Sequence, residues 1–159
     1  MPDTAANGAP ARTEATEERT LVVERVFKAS PEAVFKAWTD PTILVKWWGP
    51  EGFKTPEYSF DVRAGGAWRT VMVGPQGERR TVSGVYRRIA PPKRLVMTWA
   101  WDQADGTRGH ETEVDVSFEP TDAGTRLRLV QRIFQSLEQR QNHIMGWASS
   151  FNDLDRLFA

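Results

Sequence analysis

The sequence contains no cysteine. Disulfides, thiolate nucleophiles and cysteine-ligated zinc are therefore excluded, and a chain without thiols suits a reducing compartment, read here as the cytoplasm. Histidine is scarce too. The two, His110 and His143, fall in different segments without a ligand-spaced partner such as HxxxH, so no metal site is expected. Neither sign of charge is in surplus, since 21 Lys and Arg balance 21 Asp and Glu. Nucleic-acid binding needs a basic excess or patch, so no nucleic-acid partner is expected. No apolar run approaches the ~18 residues that span a bilayer, and no membrane partner is expected. A GxSxG elbow is missing, and Ser149-Ser150 lies on a helical stretch with no evident base. Phosphate-binding loops are missing as well, because Gly65-Gly66 reads as a hairpin turn and not as a strand-to-helix cradle. No catalytic residue and no cofactor is assigned on these grounds.

What is abundant is tryptophan, seven in 159 residues. The apolar fraction of 40% is enough for a proper core in a chain of one-domain length. The N-terminal MPDTAANGAPARTEATEER has no apolar centre of the signal-peptide kind. Its Ala, Thr, Glu and Pro content reads as a disordered lead over residues 1–18, ahead of a folded domain at 19–159.

The last segment carries the clearest pattern. From Ser136 to Phe158, Ile144, Trp147, Phe151, Leu154 and Phe158 recur at steps of three and four, one apolar face of a helix about five turns long. Ser136 and Gln139 have the spacing of a capping box. At the other end, Leu21–Ala29 reads as a strand whose two faces both carry Val or Leu, which leaves its inner face unassigned. Ser30-Pro31-Glu32 starts a helix that buries Val34, Phe35 and Trp38, and Asp40-Pro41 ends it. A second short helix follows and closes at Gly49-Pro50. Its exposed positions carry too little basic charge for a DNA-reading pair.

Six strands are then expected: 56–63, 67–73, 80–90, 95–101, 110–119 and 125–134, separated by Gly, Pro and Asp-rich turns. Alternation sets Trp68, Thr70 and Met72 on one face, then Val82, Gly84 and Tyr86, then Leu95, Met97, Trp99 and Trp101. It continues with Thr112, Val114, Val116 and Phe118, and with Leu127, Leu129, Gln131 and Ile133. One wet face, one buried face and hairpin spacings mean an antiparallel sheet, so the fold class is α+β. A sheet of six to seven strands curved around one long helix leaves room for a cavity, with aromatic walls at hand.

Several strings carry a resemblance. RVFKASPEAVFKAWTDPTILVKWWGPEGF, DVRAGGAWR, SGVYRRIAPPKRLVMTWAW, GTRLRLV and HIMGWASSFNDLDRL together resemble the activator of heat-shock-protein-90 ATPase homologue family, within the START-like (SRPBCC) superfamily. The resemblance runs from Leu21 to Phe158. It implies a helix-grip fold, in which a curved antiparallel sheet grips the C-terminal helix around a cavity, with two short helices after the first strand. The superfamily includes lipid and hormone binders, polyketide cyclases and aromatases, and co-chaperone domains, so the fold alone does not name a function. The eukaryotic activator resembles this chain only in its C-terminal domain and grips the chaperone through another. Since only a short polar tail precedes Leu21, a chaperone partner is not expected.

The expected function is binding of a small hydrophobic molecule, aromatic or lipid-like, between the final helix and the sheet. The alternatives are an enzyme of cyclase, aromatase or hydrolase type, with Tyr86 or His143 as acid or base, and a co-chaperone-like interaction module. The candidate ligand-binding residues are Trp48, Phe60, Trp68, Met72, Tyr86, Met97, Trp99, Trp101, Phe118, Gln131, His143, Trp147 and Phe151. Each aromatic could equally fill the core. Tyr86 and Gln131 could find structural hydrogen-bond partners, and His143 could stay at a rim or bond a sheet carbonyl. Adjacent Trp47 and Trp48 should not both point inward from a helix, which puts one of them at the cavity entrance. Gly146, mid-helix, means either close approach to the sheet or room for a ligand. Arg79, Arg80, Arg87, Arg88, Arg126, Arg128 and Arg132 are expected mostly on a salt-bridged outer face facing Glu111, Glu113 and Asp115. Paired edge strands would give a homodimer.

Overall fold

The computed structural model describes residues 19–159. The expected disordered lead lies outside the described residues. Strand β1 (Thr20–Phe27) comes first, and helices α1 (Pro31–Thr39) and α2 (Pro41–Trp47) follow it. The remaining strands are β2 (Lys54–Phe60), β3 (Ala67–Val73), β4 (Arg79–Ala90), β5 (Arg94–Trp101), β6 (Thr112–Thr121) and β7 (Gly124–Arg132). Helix α3 (Leu137–Leu157) ends the chain. The strands form one curved sheet in the order β1-β7-β6-β5-β4-β3-β2, every neighbouring pair antiparallel. This is the helix-grip arrangement of an α+β fold.

Local chemistry explains the ends of the helices. Ser30 Oγ accepts the Ala33 N–H at 3.2 Å, and Pro31 occupies the first helical turn. Asp40 then serves two helices. Its backbone N–H closes α1 on the Lys36 carbonyl, and its carboxylate caps α2 by accepting the Thr42 N–H at 3.0 Å. The hydrogen bonds from Thr42 hold the Asp40 carboxyl below its ordinary pKa. Ser136 caps α3 by accepting the Gln139 N–H at 3.2 Å. The reciprocal bond of a capping box is not formed, because the Gln139 amide turns to Gln135 instead.

The buried face of the sheet follows the alternation in β3, β4, β5 and β6: Trp68, Thr70, Met72, Val82, Tyr86, Leu95, Met97, Val114, Val116 and Phe118 are all buried. In β1 the inward residues are Leu21 and Phe27, with Arg25 reaching the Ala148 carbonyl and the Asn152 side chain of α3. The outer face carries ion pairs such as Arg94–Asp115 at 2.7 Å and Arg132–Glu113 at 2.9 Å. Burial alone would raise the Asp115 carboxyl, but Arg94 and Arg132 more than offset it and keep it low.

Three expectations are corrected. Trp47 and Trp48 are both buried. Helix α2 ends at Trp47, and Trp48 is extended (φ −67°, ψ 132°), so the two side chains do not follow the helical angle. Each indole finds a partner: Trp47 donates to the Ala37 carbonyl and Trp48 to Thr70 Oγ1, both at 2.9 Å. Ile133 does not continue the inner face of β7. It has φ +74° and is 56% exposed, and the kink puts Phe134 inside instead, at 1% exposure. The second strand begins at Lys54 and ends at Phe60, not at Arg63. Its ladder shifts at the Pro56 position, which has no N–H to give, and Asp61–Gly66 form a tight turn in which a Cβ on Gly66 would lie 1.9 Å from the Asp61 carbonyl oxygen.

The centre of the core is Trp38. Its ring meets Trp47 at 4.8 Å, Trp147 at 5.8 Å and Phe151 at 6.2 Å between centroids, joining α1, α2 and α3. Trp38→Ala is expected to cost ~3–5 kcal/mol in urea denaturation, whereas Tyr58→Ala on the exposed edge strand should cost less than ~1 kcal/mol. A Trp38→Ala midpoint close to wild type would contradict this account of the core.

Candidate functional site

Helix α3 does not lie evenly on the sheet. Its C-terminal half is packed down, with Trp147, Phe151 and Leu154 buried and Phe27 in edge contact with Phe151 at 5.9 Å. In its N-terminal half Ile144 is only half-buried and Met145 71% exposed, and the helix meets the sheet through polar side chains: Arg140 Nε donates to the Thr20 carbonyl at 2.7 Å, and His143 accepts from Trp101. Between that half, β3 to β6 and the loop after α2 is a cavity of about 490 Å³. Trp48, Trp99, Trp101, Trp147, Phe53, Phe134 and Met72 form its apolar wall. Arg80, Gln103, His110, Gln135, Gln139 and Asn142 are polar residues of the same lining. Among the described residues no carboxylate lines it.

Gly146 lines this space, and a Cβ built on it meets nothing within 4 Å. Of its two expected explanations the structure supports the second: the missing side chain leaves open volume. Gly49 closes α2 at φ +86°, and a Cβ there would strike the Met72 sulfur at 2.7 Å, so a side chain at 49 would crowd the wall.

A hydrogen-bond chain fixes the floor. Trp147 Nε1 donates to Gln131 Oε1 at 2.8 Å, Gln131 Nε2 donates to Thr112 Oγ1 at 2.8 Å, and Thr112 Oγ1 donates to the Trp99 carbonyl at 3.3 Å. Gln131 is fully buried, and its amide is spent on structure. His143 is similarly engaged at both nitrogens. Nδ1 is 2.8 Å from the Gln139 carbonyl and so carries the proton, and Nε2 accepts the Trp101 indole N–H at 2.9 Å. Burial lowers the imidazole pKa from its ordinary value, and the Gln139 bond offsets part of that.

Six of the sequence candidates meet at the cavity: Trp48, Met72, Trp99, Trp101, His143 and Trp147. The other seven stand behind or beside it. Phe60 stacks on Trp68 at 6.5 Å, next to β2, while Met97 and Phe118 are core residues of the central strands. Phe151 packs on Phe27 and Trp38 further down α3. Tyr86 is 2% exposed and away from the cavity lining, and burial pushes its phenol pKa up. Gln131 holds Trp147 from beneath.

Apart from His143, sequence reasoning missed the polar lining. Two signals were available. Gln139, His143, Gly146 and Ser150 lie at steps of four, three and four beside the apolar stripe. Arg80 has the same strand parity as inward Val82, Gly84 and Tyr86. His110, separated from His143 by 33 positions in sequence, lines the same cavity. Among the described residues no group of three His, Cys, Asp or Glu could hold a metal ion.

Comparison with known proteins places this geometry among relatives. Residues 28–159 match the family described as activator of Hsp90 ATPase homolog 1-like protein. The crystal structure of the AHSA1 protein from Silicibacter pomeroyi is 38% identical, with a TM-score of 0.81 over 86% of this chain and 95% of that one. A Chromobacterium violaceum protein is 28% identical, with a TM-score of 0.78 over 87% of this chain and 96% of that one. A Nitrosomonas europaea protein is 26% identical, with a TM-score of 0.74 over 88% and 94%. No curated protein matches the chain.

Two outcomes are expected at this site. Gly146→Ala should raise stability by ~0.5–1 kcal/mol, the helix-propensity gain at a position with open space. Loss of stability would mean that the space is not there. The depressed His143 pKa means that the folded state binds fewer protons than the unfolded chain just below the ordinary histidine value. Stability should therefore fall as pH drops from 7 through about 6. Chemical denaturation across pH 5–8 should show this slope, flattened in His143→Gln.

Proposed function

The chain belongs to the activator of Hsp90 ATPase homolog 1-like family, and on that premise we propose that it binds a small, largely apolar molecule, aromatic or lipid-like, in the cavity under α3. One observation carries the reading. Four indoles, those of Trp48, Trp99, Trp101 and Trp147, wall a space of about 490 Å³ that the fold leaves open at Gly146. That volume is within the range of small-molecule sites, ~300–1,000 Å³. Aromatic faces suit flat apolar ligands, and an occupant would remove from water the part of the apolar wall that the cavity leaves wet.

A turnover reading has less support. Acid–base catalysis at neutral pH asks for an ionisable group free to exchange a proton with the ligand. The Nε2 lone pair of His143 is already taken by Trp101, and Tyr86 does not border the cavity. Among the described residues no carboxylate in the lining orients either histidine. No described helix is long and apolar enough to cross a membrane. A cytoplasmic setting, suited to a chain without cysteine, belongs to the same proposal.

The test fills the cavity from within. Gly146→Leu puts a branched side chain into the open space at the helix. Native mass spectrometry of wild type purified from its own host should reveal a small-molecule adduct that the variant lacks. Calorimetric titration with the neutral probe 1-naphthaleneacetamide should give one site per chain in wild type, weakened at least ~10-fold in Gly146→Leu while the far-UV spectrum is unchanged. Equal binding by the two proteins would place the site elsewhere.

A further inference from the structure

We propose that the ligand has an anionic head, a carboxylate or a group of similar charge and shape, and that Arg80 at the cavity lining receives it. This rests on the cavity being the ligand site and adds to it the chemistry of the ligand's polar end.

Val82, Gly84 and Tyr86 belong to the inward face of β4, and Arg80 precedes Val82 by two positions, so it has the same parity. Cross-strand register confirms the placement: Arg80 pairs with Met72, and Met72 is in the cavity wall. Its neighbour Arg79 has the opposite parity and is ion-paired with Glu57. The two adjacent arginines thus have different surroundings.

Pairing separates them further. Among the described residues Arg79, Arg87, Arg94, Arg126, Arg128 and Arg132 each form an ion pair with a carboxylate, whereas Arg69 and Arg88, outside the cavity lining, form none. Among the described residues Arg80 has no ion pair and no side-chain hydrogen bond. Asp102 borders the adjoining surface depression together with Arg80, yet the two form no ion pair.

Among the described residues Arg80 is therefore the only formally charged side chain in a lining that otherwise offers indoles, amides and two histidines, of which His143 is kept neutral by burial and by accepting the Trp101 indole N–H. Such a lining repels nothing negative and has no counter-charge for a cation. A guanidinium fork matches a carboxylate in two parallel hydrogen bonds. Arg80 is exposed, so the head it meets stays partly hydrated while the apolar body lies under the tryptophans.

The experiment uses three naphthalene probes that share one apolar body: 1-naphthaleneacetate, 1-naphthaleneacetamide and 1-naphthylethylammonium, titrated by calorimetry at pH 7.5 and low salt. The expected order is acetate tightest and ammonium weakest, with acetate at least about fivefold tighter than the amide. Arg80→Gln should bring acetate and amide together while leaving the amide within about twofold of wild type. Arg80→Lys should retain most of the preference, and Arg79→Gln all of it. Salt should shrink the preference in wild type. Equal binding of acetate and amide to wild type, survival of the preference in Arg80→Gln, or its loss in Arg79→Gln would overturn the Arg80 assignment and leave the cavity reading intact. Failure of all three probes to bind wild type at millimolar concentration would overturn both.

Discussion

The hydrogen bond from Trp147 to Gln131 is the contact on which the site depends. A helix lying on a sheet settles until side chains meet. Here one of the largest side chains meets a fully buried amide at 2.8 Å, and that amide is itself held by Thr112. The helix is thereby fixed at Trp147. Below that point Phe151 packs it onto β1 and α1 and Leu154 is buried; above it, Arg140 and His143 tie it to Thr20 and Trp101 by hydrogen bonds, and Gly146 leaves open space between. The cavity is the space left between these attachments. Breaking the bond would strand a glutamine in an apolar core, at a cost of ~1–3 kcal/mol, so the pin resists collapse as well as lift.

Packing outweighs hydrogen bonding elsewhere in the same cluster. The buried indole nitrogens of Trp38, Trp68 and Trp99 have no partner among the described residues. Each unsatisfied N–H costs ~1–3 kcal/mol. Burying ~200 Å² of indole returns about 5 kcal/mol, at ~25 cal/mol per Å². The balance favours burial in each case, by a smaller margin than for a satisfied tryptophan. Close approach has the same origin: a Cβ on Gly84 would fall 2.7 Å from Trp68 Nε1 and 1.9 Å from the Thr98 carbonyl oxygen, so only glycine lets the central strands carry that indole.

Periodic stretches of the sequence were legible, and places where the backbone departs from its period were not. Alternation in β6 assigns Thr112, Val114, Val116 and Phe118 inward, as found, and the step of three and four in α3 identifies Trp147, Phe151 and Leu154. Ile133 misleads because a single positive φ reverses the parity of everything after it, and no glycine marks the spot. Trp48 misleads because the helix ends one residue earlier than the apolar run. The cavity lining was the least legible part. It joins residues from the loop after α2, from β3, β4, β5 and β6, and from α3, and which inward residues face space and which face one another depends on the height of α3 above the sheet, a tertiary quantity. Tyr86 and Trp101 share the inward parity of their strands, yet only Trp101 borders the cavity. Pairing, too, depends on tertiary structure, and so Arg79 and Arg80 look alike until Glu57 is found beside one of them.

A ligand held in the space under the N-terminal half of α3, as proposed, would lie against the indoles that line it. The most direct measurement is the set of indole N–H resonances in a two-dimensional nitrogen–proton spectrum of the ¹⁵N-labelled protein, recorded while 1-naphthaleneacetate is added. Seven tryptophans report from known places in the fold. Ligand in this space should shift Trp48, Trp99, Trp101 and Trp147 together with one affinity, while Trp47 and Trp68, which stand one ring behind the lining, move less. Shifts confined to Trp47 and Trp68, or no indole shift at saturating ligand, would contradict that placement of the ligand.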